Sequence, residues 1–223
     1  MLFGTAKRLT ATVPLEIFID DKLINFVKGY KYLGTWLDPC VNMSEHLEKV
    51  FKKASSRLRL LSRMRRSLTK AVAETIYKAI ILPTILCCSN TVLKVSDTIE
   101  NRLEHLQERA IRTIYKKTDM SNKECDLMSI TNRKKLKAAC LIFQCLQGTS
   151  ITDFNTHINQ MNHRYQTRNN NISLRLPRVK TEAARKSFWF QGPFCFNELP
   201  LEIRQSKSFL LFKSKLKVHF LNK

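Results

Sequence analysis

The chain has 223 residues, 43% of them hydrophobic, with only 5 Gly and 6 Pro, which excludes a disordered protein and predicts one domain or two small ones. Its 39 Lys and Arg outnumber 18 Asp and Glu, and the formal net charge of +21 predicts a polyanionic partner, nucleic acid before an anionic membrane surface. Seven cysteines without a disulfide-framework spacing, and a start without the apolar segment of a signal peptide, favour the nucleus and cytoplasm over secretion. No apolar run is long enough to span a bilayer, so we expect no membrane partner.

Residues 1–41 contain short β-branched or aromatic runs, interrupted by Asp, Gly and Pro, that predict strands and hairpins: LFGT, LEIFI, KLINFV and YKYLGTWLD. Within them, Phe18-Ile19-Asp20-Asp21 has an aromatic residue and paired carboxylates, a pattern that can hold two Mg²⁺ ions for phosphoryl transfer. No aspartate precedes Asp20, so the third carboxylate of such a site is missing. We therefore interpret the pair as a hairpin turn between Leu15–Ile19 and Leu23–Val27, and we assign no catalytic residue.

From residue 42 onward the apolar period becomes helical. The pattern predicts a helix over residues 44–68, a second over 68–82 that Pro83 ends or kinks, and a third from Asp97, whose spacing to Glu100 is typical of a capping box. Further helices are predicted at 133–147 and 209–220. The fold class predicted is mainly α: a small N-terminal β-hairpin region (1–41), a helical bundle (42–120) and a helical and loop C-terminal region (121–223).

The first long helix carries a basic face. Between Lys49 and Lys70 there are nine basic residues and no acidic one, so the i, i+4 glutamates that usually neutralise a charged helix are not expected. A solvated amphipathic helix is the alternative, but cations repeating every turn on one face suit a phosphate backbone. The predicted nucleic-acid-binding residues of this segment are Lys49, Lys52, Lys53, Arg59, Arg63, Arg66 and Lys70. Arg57 flanks the apolar face and Arg65 lies on it, against the pattern.

A second basic segment, HRYQTRNNNISLRLPRVK, covers residues 163–180 and is polar and loop-like. Its candidate contacts to RNA or DNA are Arg168, Arg175 and Arg178. A solvated linker is an equal alternative for this basic arm, and the sequence leaves both readings open.

A metal site is suggested by Cys140, Cys145, His157 and His163, whose spacing is close to that of a zinc finger. However, Cys140 and Cys145 lie within KAACLIFQCLQ, a helical pattern that places them about 140° apart around the axis. We therefore predict two small core residues, with no metal site and no cofactor.

The order of several segments resembles the C-terminal part of a LINE-type (non-LTR) retrotransposon reverse transcriptase. These segments are YKYLGTWLD, HLEKVFKKASSRLRLLSRMR, AVAETIYKAIILPTILCC, TRNNNISLRLPRVK, SFWFQGPFCFNELPLEIR and FKSKLKVHFL. In that family KYLG closes the polymerase palm in a hairpin beside the primer strand, so the resemblance implies a primer-grip-like role for Tyr32, Leu33 and Gly34. A helical thumb and a post-thumb region follow. Phe196 stands where the family more often has Trp before the Asn.

The resemblance also bears on the Asp pair. In the family the catalytic aspartates lie several tens of residues before KYLG, whereas Asp21 precedes Tyr30 by only nine positions. The family's own pair would therefore lie upstream of Met1. The resemblance implies a palm edge, thumb and post-thumb region that is non-catalytic and binds RNA, DNA or an RNA–DNA hybrid, from a family of RNA-directed DNA polymerases. Two alternatives stay open: the chain completes a palm-bearing reverse transcriptase chain in trans, or it is a basic helical module that binds RNA, DNA or a protein.

Overall fold

A computed structural model describes residues 1–11, 16–87, 93–116, 127–149, 158 and 173–222. Within these residues the chain is mainly helical, with a pair of antiparallel hairpins before the long helices, which confirms the predicted fold class. The chain divides into two compact units, Met1–Lys53 and Ala54–Lys223. The functional division at residues 41 and 120 stays a prediction.

The described elements, in chain order, are α1 (Ala6–Ala11), β1 (Phe18–Ile19), β2 (Lys22–Leu23), β3 (Tyr30–Tyr32), β4 (Thr35–Leu37), α2 (Ser44–Met64), α3 (Lys70–Ile76), α4 (Leu82–Ile85), α5 (Asp97–Tyr115), α6 (Ile130–Leu146), α7 (Glu182–Lys186), α8 (Phe188–Asn197), α9 (Leu201–Arg204) and α10 (Phe209–Asn222). A 3₁₀ turn, Arg65–Ser67, follows α2, and a π-helical segment, Tyr77–Ile81, joins α3 to α4. The strand expected in LFGT is not formed: residues 2–5 are irregular and lead into α1, whose run of Ala, Lys and Arg favours a helix.

The first hairpin pairs β1 with β2, with Phe18 opposite Leu23 and Ile19 opposite Lys22. Asp20 and Asp21 form the two-residue turn, and their φ angles of 48° and 59° lie in the left-handed region that a type I′ turn requires. Asp tolerates this region better than most residues do, because its short polar side chain can bond to the local backbone. The interpretation of this pair as a hairpin turn is confirmed.

The second hairpin pairs β3 with β4 and places Leu33 and Gly34 at its tip, with φ angles of 46° and 86°. Gly34 adopts this conformation without a steric penalty, whereas Leu33 does not. The side chain of Leu33 is 87% exposed. The YLG segment therefore forms a tight, solvent-facing hairpin tip.

Helix α2 ends at Met64, four residues before the predicted end. Leu68 is extended (φ −112°, ψ 142°), and Thr69 then caps α3 by accepting a hydrogen bond from the Val72 amide at 3.4 Å. The sequence interpretation of one continuous helix to residue 68 was therefore wrong. As a consequence Arg66 and Lys70 do not lie on α2, but on the 3₁₀ turn and on the first turn of α3.

Pro83 produces the predicted kink in an unexpected form. Proline has no amide hydrogen, and its ring collides with the carbonyl group four residues earlier in a regular α-helix. The chain widens into a π-helix at Tyr77–Ile81 and resumes as α4 with Pro83 in its first turn. Tyr77 and Ile81 remain buried across this segment, so the apolar face continues in spite of the change in helix geometry.

The C-terminal core forms where α8 and α10 pack on α6. The rings of Phe143 and Phe212 stack with centroids 4.2 Å apart. Gly192 permits the close approach of α8 to α6, because a Cβ atom there would come within 3.1 Å of Ile142 Cδ1. The predicted helices at 133–147 and 209–220 are found as α6 and α10, and Cys140 and Cys145 are buried on α6, as expected for core residues.

The N-termini of α5 and α6 differ from the sequence expectation. Ser96 rather than Asp97 is the N-cap of α5, and Glu100 accepts a hydrogen bond from the Val95 amide at 3.5 Å. Helix α6 begins at Ile130, three residues early, because Ser129 accepts from the Asn132 amide at 3.1 Å.

Candidate nucleic-acid interface

Four cations of the predicted set form what we call the outer face: Lys52, Arg59, Arg63 and Arg66. The first three lie on α2 within about 40° of one another around its axis, since each residue turns the helix by about 100°. Arg66 follows on the 3₁₀ turn. All four side chains are exposed, and within the part of the chain that the structure describes none of them forms an ion pair. Their charge is therefore available to an external anion.

Three other predicted cations differ from the outer face. Lys53 is exposed at the flank of α2, one residue from Lys52. The ammonium group of Lys70 lies 4.4 Å from the centroid of the Tyr115 ring, a cation–π contact that holds it against α5. Lys49 Nζ lies 2.6 Å from Glu45 Oε1 and 3.0 Å from the centroid of the Trp36 ring. The expectation of a face without i, i+4 glutamates is thus wrong at Lys49, because Glu45 lies one helical turn before Lys49, N-terminal to the acid-free segment 49–70.

Two arginines of the same segment face inward; we call them the inner pair, Arg57 and Arg65. Arg57 Nη1 donates to the Ile80 carbonyl oxygen at 3.0 Å and to the hydroxyl of Thr84. Arg65 donates through Nε and Nη2 to the Ile114 carbonyl oxygen, at 3.0 and 2.7 Å. Its Nη1 donates to the Leu68 carbonyl oxygen at 2.6 Å.

The contacts of Arg65 explain its place on the apolar face. The Ile114 carbonyl belongs to the last turn of α5, where carbonyl oxygens have no partner within the helix and the helix dipole favours a cation. Sequence reasoning noticed the anomaly at Arg65 but not its cause. An arginine on an otherwise apolar stripe was the available signal for a buried carbonyl partner.

The basic arm is described only at its end, residues 173–180, and Arg168 lies outside the described residues. Here Leu174 is buried, and the side chain of Asn197 holds its backbone on both sides. The Leu174 amide donates to Asn197 Oδ1 at 2.9 Å, and Asn197 Nδ2 donates to the Leu174 carbonyl oxygen at 2.8 Å. Arg175 and Arg178 are exposed on this anchored, extended segment. Their guanidinium groups are therefore presented to solvent from a backbone fixed to α8.

The other described sequence candidates lie at the two hairpin tips and on α6. Tyr32 and Leu33 are exposed at the tip of the second hairpin, and so are Asp20 and Asp21 at the tip of the first. Burial raises the pKa of the Cys140 thiol, which keeps it protonated at neutral pH and makes it a poor metal ligand. His157 and His163 of the zinc-like spacing lie outside the described residues. Across the described ranges, no group of three or more His, Cys, Asp or Glu side chains is placed to hold a metal ion.

A buried polar cluster between α5 and α6 was not found by sequence reasoning. Glu104 of α5 accepts from the Ile130 and Thr131 amides at 3.2 and 2.8 Å and so caps α6. Gln107 donates to the Met128 carbonyl oxygen at 3.1 Å. Burial lowers the pKa of Lys134, and the nearby carboxylates of α5 oppose that shift. The side chains of Glu104 and Gln107 thus satisfy backbone groups at the start of α6, and we assign them a structural role.

Comparison with known proteins identifies no relative: no family model, no curated protein and no solved structure matches the chain. Among the helices in the described residues, none is both long enough and apolar enough to cross a membrane.

Proposed function

We propose that the chain binds the sugar–phosphate backbone of duplex nucleic acid through the outer face, as the non-catalytic thumb and C-terminal part of a LINE-type reverse transcriptase. The observation that supports this most is the row of exposed cations at Lys52, Arg59 and Arg63, which form no ion pair within the described residues. Neutralising phosphates with such cations releases condensed counterions, which favours binding without regard to base sequence. The ligand class is RNA, DNA or an RNA–DNA hybrid.

The resemblance gives the other parts their proposed roles. The hairpin tip at Tyr32, Leu33 and Gly34 steadies the primer end of a template–primer duplex. Arg175 and Arg178, on the anchored end of the basic arm, add a second line of phosphate contacts. Aromatic and apolar groups at a hairpin tip can pack on sugars and bases, whereas arginine binds phosphate through its planar fork of N–H groups.

The test of the proposal is a salt titration of binding to short duplexes of unrelated sequence. If the outer face and its neighbours contact four or more phosphates, the slope of log K against log salt concentration should be about −4 or steeper. The affinities for the different duplexes should agree to within about threefold, because phosphate contacts carry no sequence information. A slope near zero would contradict the proposal, as would strong selection of one base sequence.

The proposed absence of catalysis has its own test. Nucleotide addition requires carboxylates that hold two metal ions in line with the primer hydroxyl and the incoming triphosphate. Asp20 and Asp21 lie side by side in a two-residue hairpin turn, and among the described residues no third His, Cys, Asp or Glu side chain is placed to complete a metal site with them. The chain should therefore retain a poly(rA)/oligo(dT) duplex in a binding assay without extending the primer, with Mg²⁺ or Mn²⁺. Extension that is abolished by Asp20→Asn with Asp21→Asn would overturn this.

A protein partner at the hairpins is a second candidate function. The two hairpins expose large apolar side chains, among them Phe18 (57%), Ile19 (61%) and Tyr30 (57%). An isolated two-stranded hairpin is marginally stable in water, and among the described residues no further strand pairs with the edges of either hairpin. A palm-bearing reverse transcriptase chain is the partner that the resemblance implies. Co-expression with such a chain should give a complex that Phe18→Ser with Ile19→Ser weakens; an equally stable complex with this variant would exclude the hairpin as the contact.

A further inference from the structure

The C-terminal unit contains a groove that the proposed function does not use. It has a volume of about 190 Å³, and its floor is formed by four apolar side chains: Leu86, Met128, Leu136 and Leu221. Leu86 follows α4, Met128 precedes α6, and the other two lie on α6 and α10. Leu136 and Leu221 are only half-buried although they pack on the core, so part of their apolar surface stays open to the groove.

The rim of this groove is cationic. Lys137 of α6 stands on one side, and Lys213 and Lys217 of α10, one helical turn apart, stand on the other. Arg133 also lines the groove and donates through Nε to the Met128 carbonyl oxygen at 3.0 Å. The lining residues include no Asp or Glu among those described. An occupant must therefore be apolar where it meets the floor and anionic where it meets the rim.

We propose that this groove binds an acidic amphipathic helix of a partner protein. A helix with Leu, Met or Phe at i, i+3 and i+7 presents a narrow apolar stripe, and glutamates beside that stripe would meet lysines from both α6 and α10. A cavity of about 150 Å³ lined by apolar side chains accepts a benzene molecule. The groove therefore has room for one large apolar anchor, and the flanking contacts are electrostatic.

The floor favours a peptide over nucleic acid. Bases bind to proteins by stacking on aromatic rings or guanidinium planes. The floor of the groove has no aromatic residue; it is made of Leu and Met, whose flexible side chains adapt to apolar helix faces.

The direct experiment is fluorescence anisotropy with a labelled peptide of about 16 residues that carries the Leu stripe with flanking Glu. A scrambled peptide of the same composition serves as the control ligand. The groove variant combines Lys137→Glu, Lys213→Glu and Lys217→Glu. The matched control variant combines Lys94→Glu, Lys180→Glu and Lys207→Glu, three exposed lysines outside the groove with the same change in charge.

The groove variant should bind the amphipathic peptide at least about tenfold more weakly than the unchanged chain, and the control variant should stay within about threefold. The scrambled peptide should bind weakly to all three proteins. Equal losses in both variants would overturn the proposal, because attraction would then depend on net charge alone. Equal binding of the two peptides would overturn it as well. A competition with decanoate, a small anionic amphiphile, tests the other occupant on the unchanged chain. If decanoate displaces the labelled peptide and the scrambled peptide binds as well as the striped one, the groove binds a small anionic amphiphile and not a helix.

Discussion

The outer face and the inner pair are cations of one short segment of the chain, yet their surroundings differ completely. The outer face, for example Arg59 and Arg63, is exposed and has no ion pair in the described structure. The inner pair, Arg57 and Arg65, is half-buried, and both guanidinium groups donate to backbone carbonyl oxygens. The contact that a cation makes, rather than its residue type or its position in the sequence, thus separates a candidate binding group from a structural one.

This difference predicts opposite effects for neighbouring substitutions. Removing a structural arginine takes donors away from backbone carbonyl oxygens, and this destabilises the fold most where the oxygen is shielded from water, as at the buried residue Ile114. An exposed cation leaves nothing unpaired, so its removal changes ligand binding and hardly affects stability. Adjacent or nearly adjacent residues of the two groups therefore serve as controls for each other.

The largest stability effect is expected for Arg65→Met. The variant loses the hydrogen bonds to the Ile114 and Leu68 carbonyl oxygens and the favourable charge at the end of α5. The free energy of unfolding should fall by about 2–4 kcal/mol, measured by denaturant titration. Arg66→Met is the control, with an expected change within about 0.5 kcal/mol. If Arg65→Met and Arg66→Met lowered the free energy of unfolding equally, the inner pair would not differ from the outer face in its structural role.

A smaller stability effect is expected for Arg57→Met. Its guanidinium group bonds the Ile80 carbonyl oxygen within the π-helical segment, but Thr84 Oγ1 also donates to that oxygen at 2.8 Å and would remain. The Ile80 contact is also exposed to solvent, so the loss should be about 0.5–1.5 kcal/mol. Arg59→Met should leave stability unchanged while weakening duplex binding. The comparison fails if Arg57→Met reduces binding as strongly as Arg59→Met does.

Lys49 should behave as an intermediate case in binding. Glu45 already neutralises its charge at 2.6 Å, and the Trp36 ring holds its ammonium group. Lys49→Gln should change the salt slope of duplex binding by less than about 0.5, against about 0.9 for Arg59→Gln. Glu45→Gln should strengthen binding slightly, because it removes a repelling carboxylate. If Lys49→Gln changed the salt slope more than Arg59→Gln does, the binding face would lie on the side of α2 that carries Lys49.

The smallest effect concerns pH and His46. Burial, with a further contribution from the charge of Lys49, lowers the pKa of His46 from its usual 6.5. The Trp36 amide donates to His46 Nδ1 at 3.4 Å, so protonation of that nitrogen would remove an acceptor. Because the unfolded chain takes up the proton more readily, stability is full above pH 6.5 and should decline as the pH falls below it. Thermal unfolding between pH 7.5 and 5.5 should show this decline, and His46→Gln should reduce it.

Local patterns in the sequence predicted much of the fold. The turn at Asp20 and Asp21, the helix at α5 and the burial of Cys140 and Cys145 depend on neighbours a few residues away, so spacing and residue type were sufficient. The end of α2 was also open to prediction, since Thr69 followed by a helical pattern is a good N-cap signal. The prediction from the sequence instead continued the helix past Met64 to residue 68, because the spacing of basic residues continues there.

The candidate site was predicted less completely, for a physical reason. The partners that separate the inner pair from the outer face are distant in sequence: Arg65 bonds a carbonyl oxygen 49 residues away. Asn197 and Leu174 are 23 residues apart, and Glu104 reaches Thr131 across 27. Periodicity places a residue on a face of a helix but does not reveal which backbone oxygen meets that face. The groove between α6 and α10 was missed for the same reason.

The central claim is that the outer face, and not total charge, binds duplex nucleic acid. It is tested by a variant that combines Lys52→Gln, Arg59→Gln, Arg63→Gln and Arg66→Gln. The matched control combines Lys7→Gln, Lys94→Gln, Lys207→Gln and Lys215→Gln, which removes the same charge from exposed lysines elsewhere. Circular dichroism and thermal unfolding of both variants establish first that each is folded.

The measurement is the slope of log K against log salt concentration for one duplex and the three proteins. Each lost phosphate contact reduces the steepness by about 0.9, so the outer-face variant should be less steep than the unchanged chain by about 3–4. The control variant should differ from the unchanged chain by less than about 1. An unchanged slope in the outer-face variant, or equal flattening in both variants, would contradict the account.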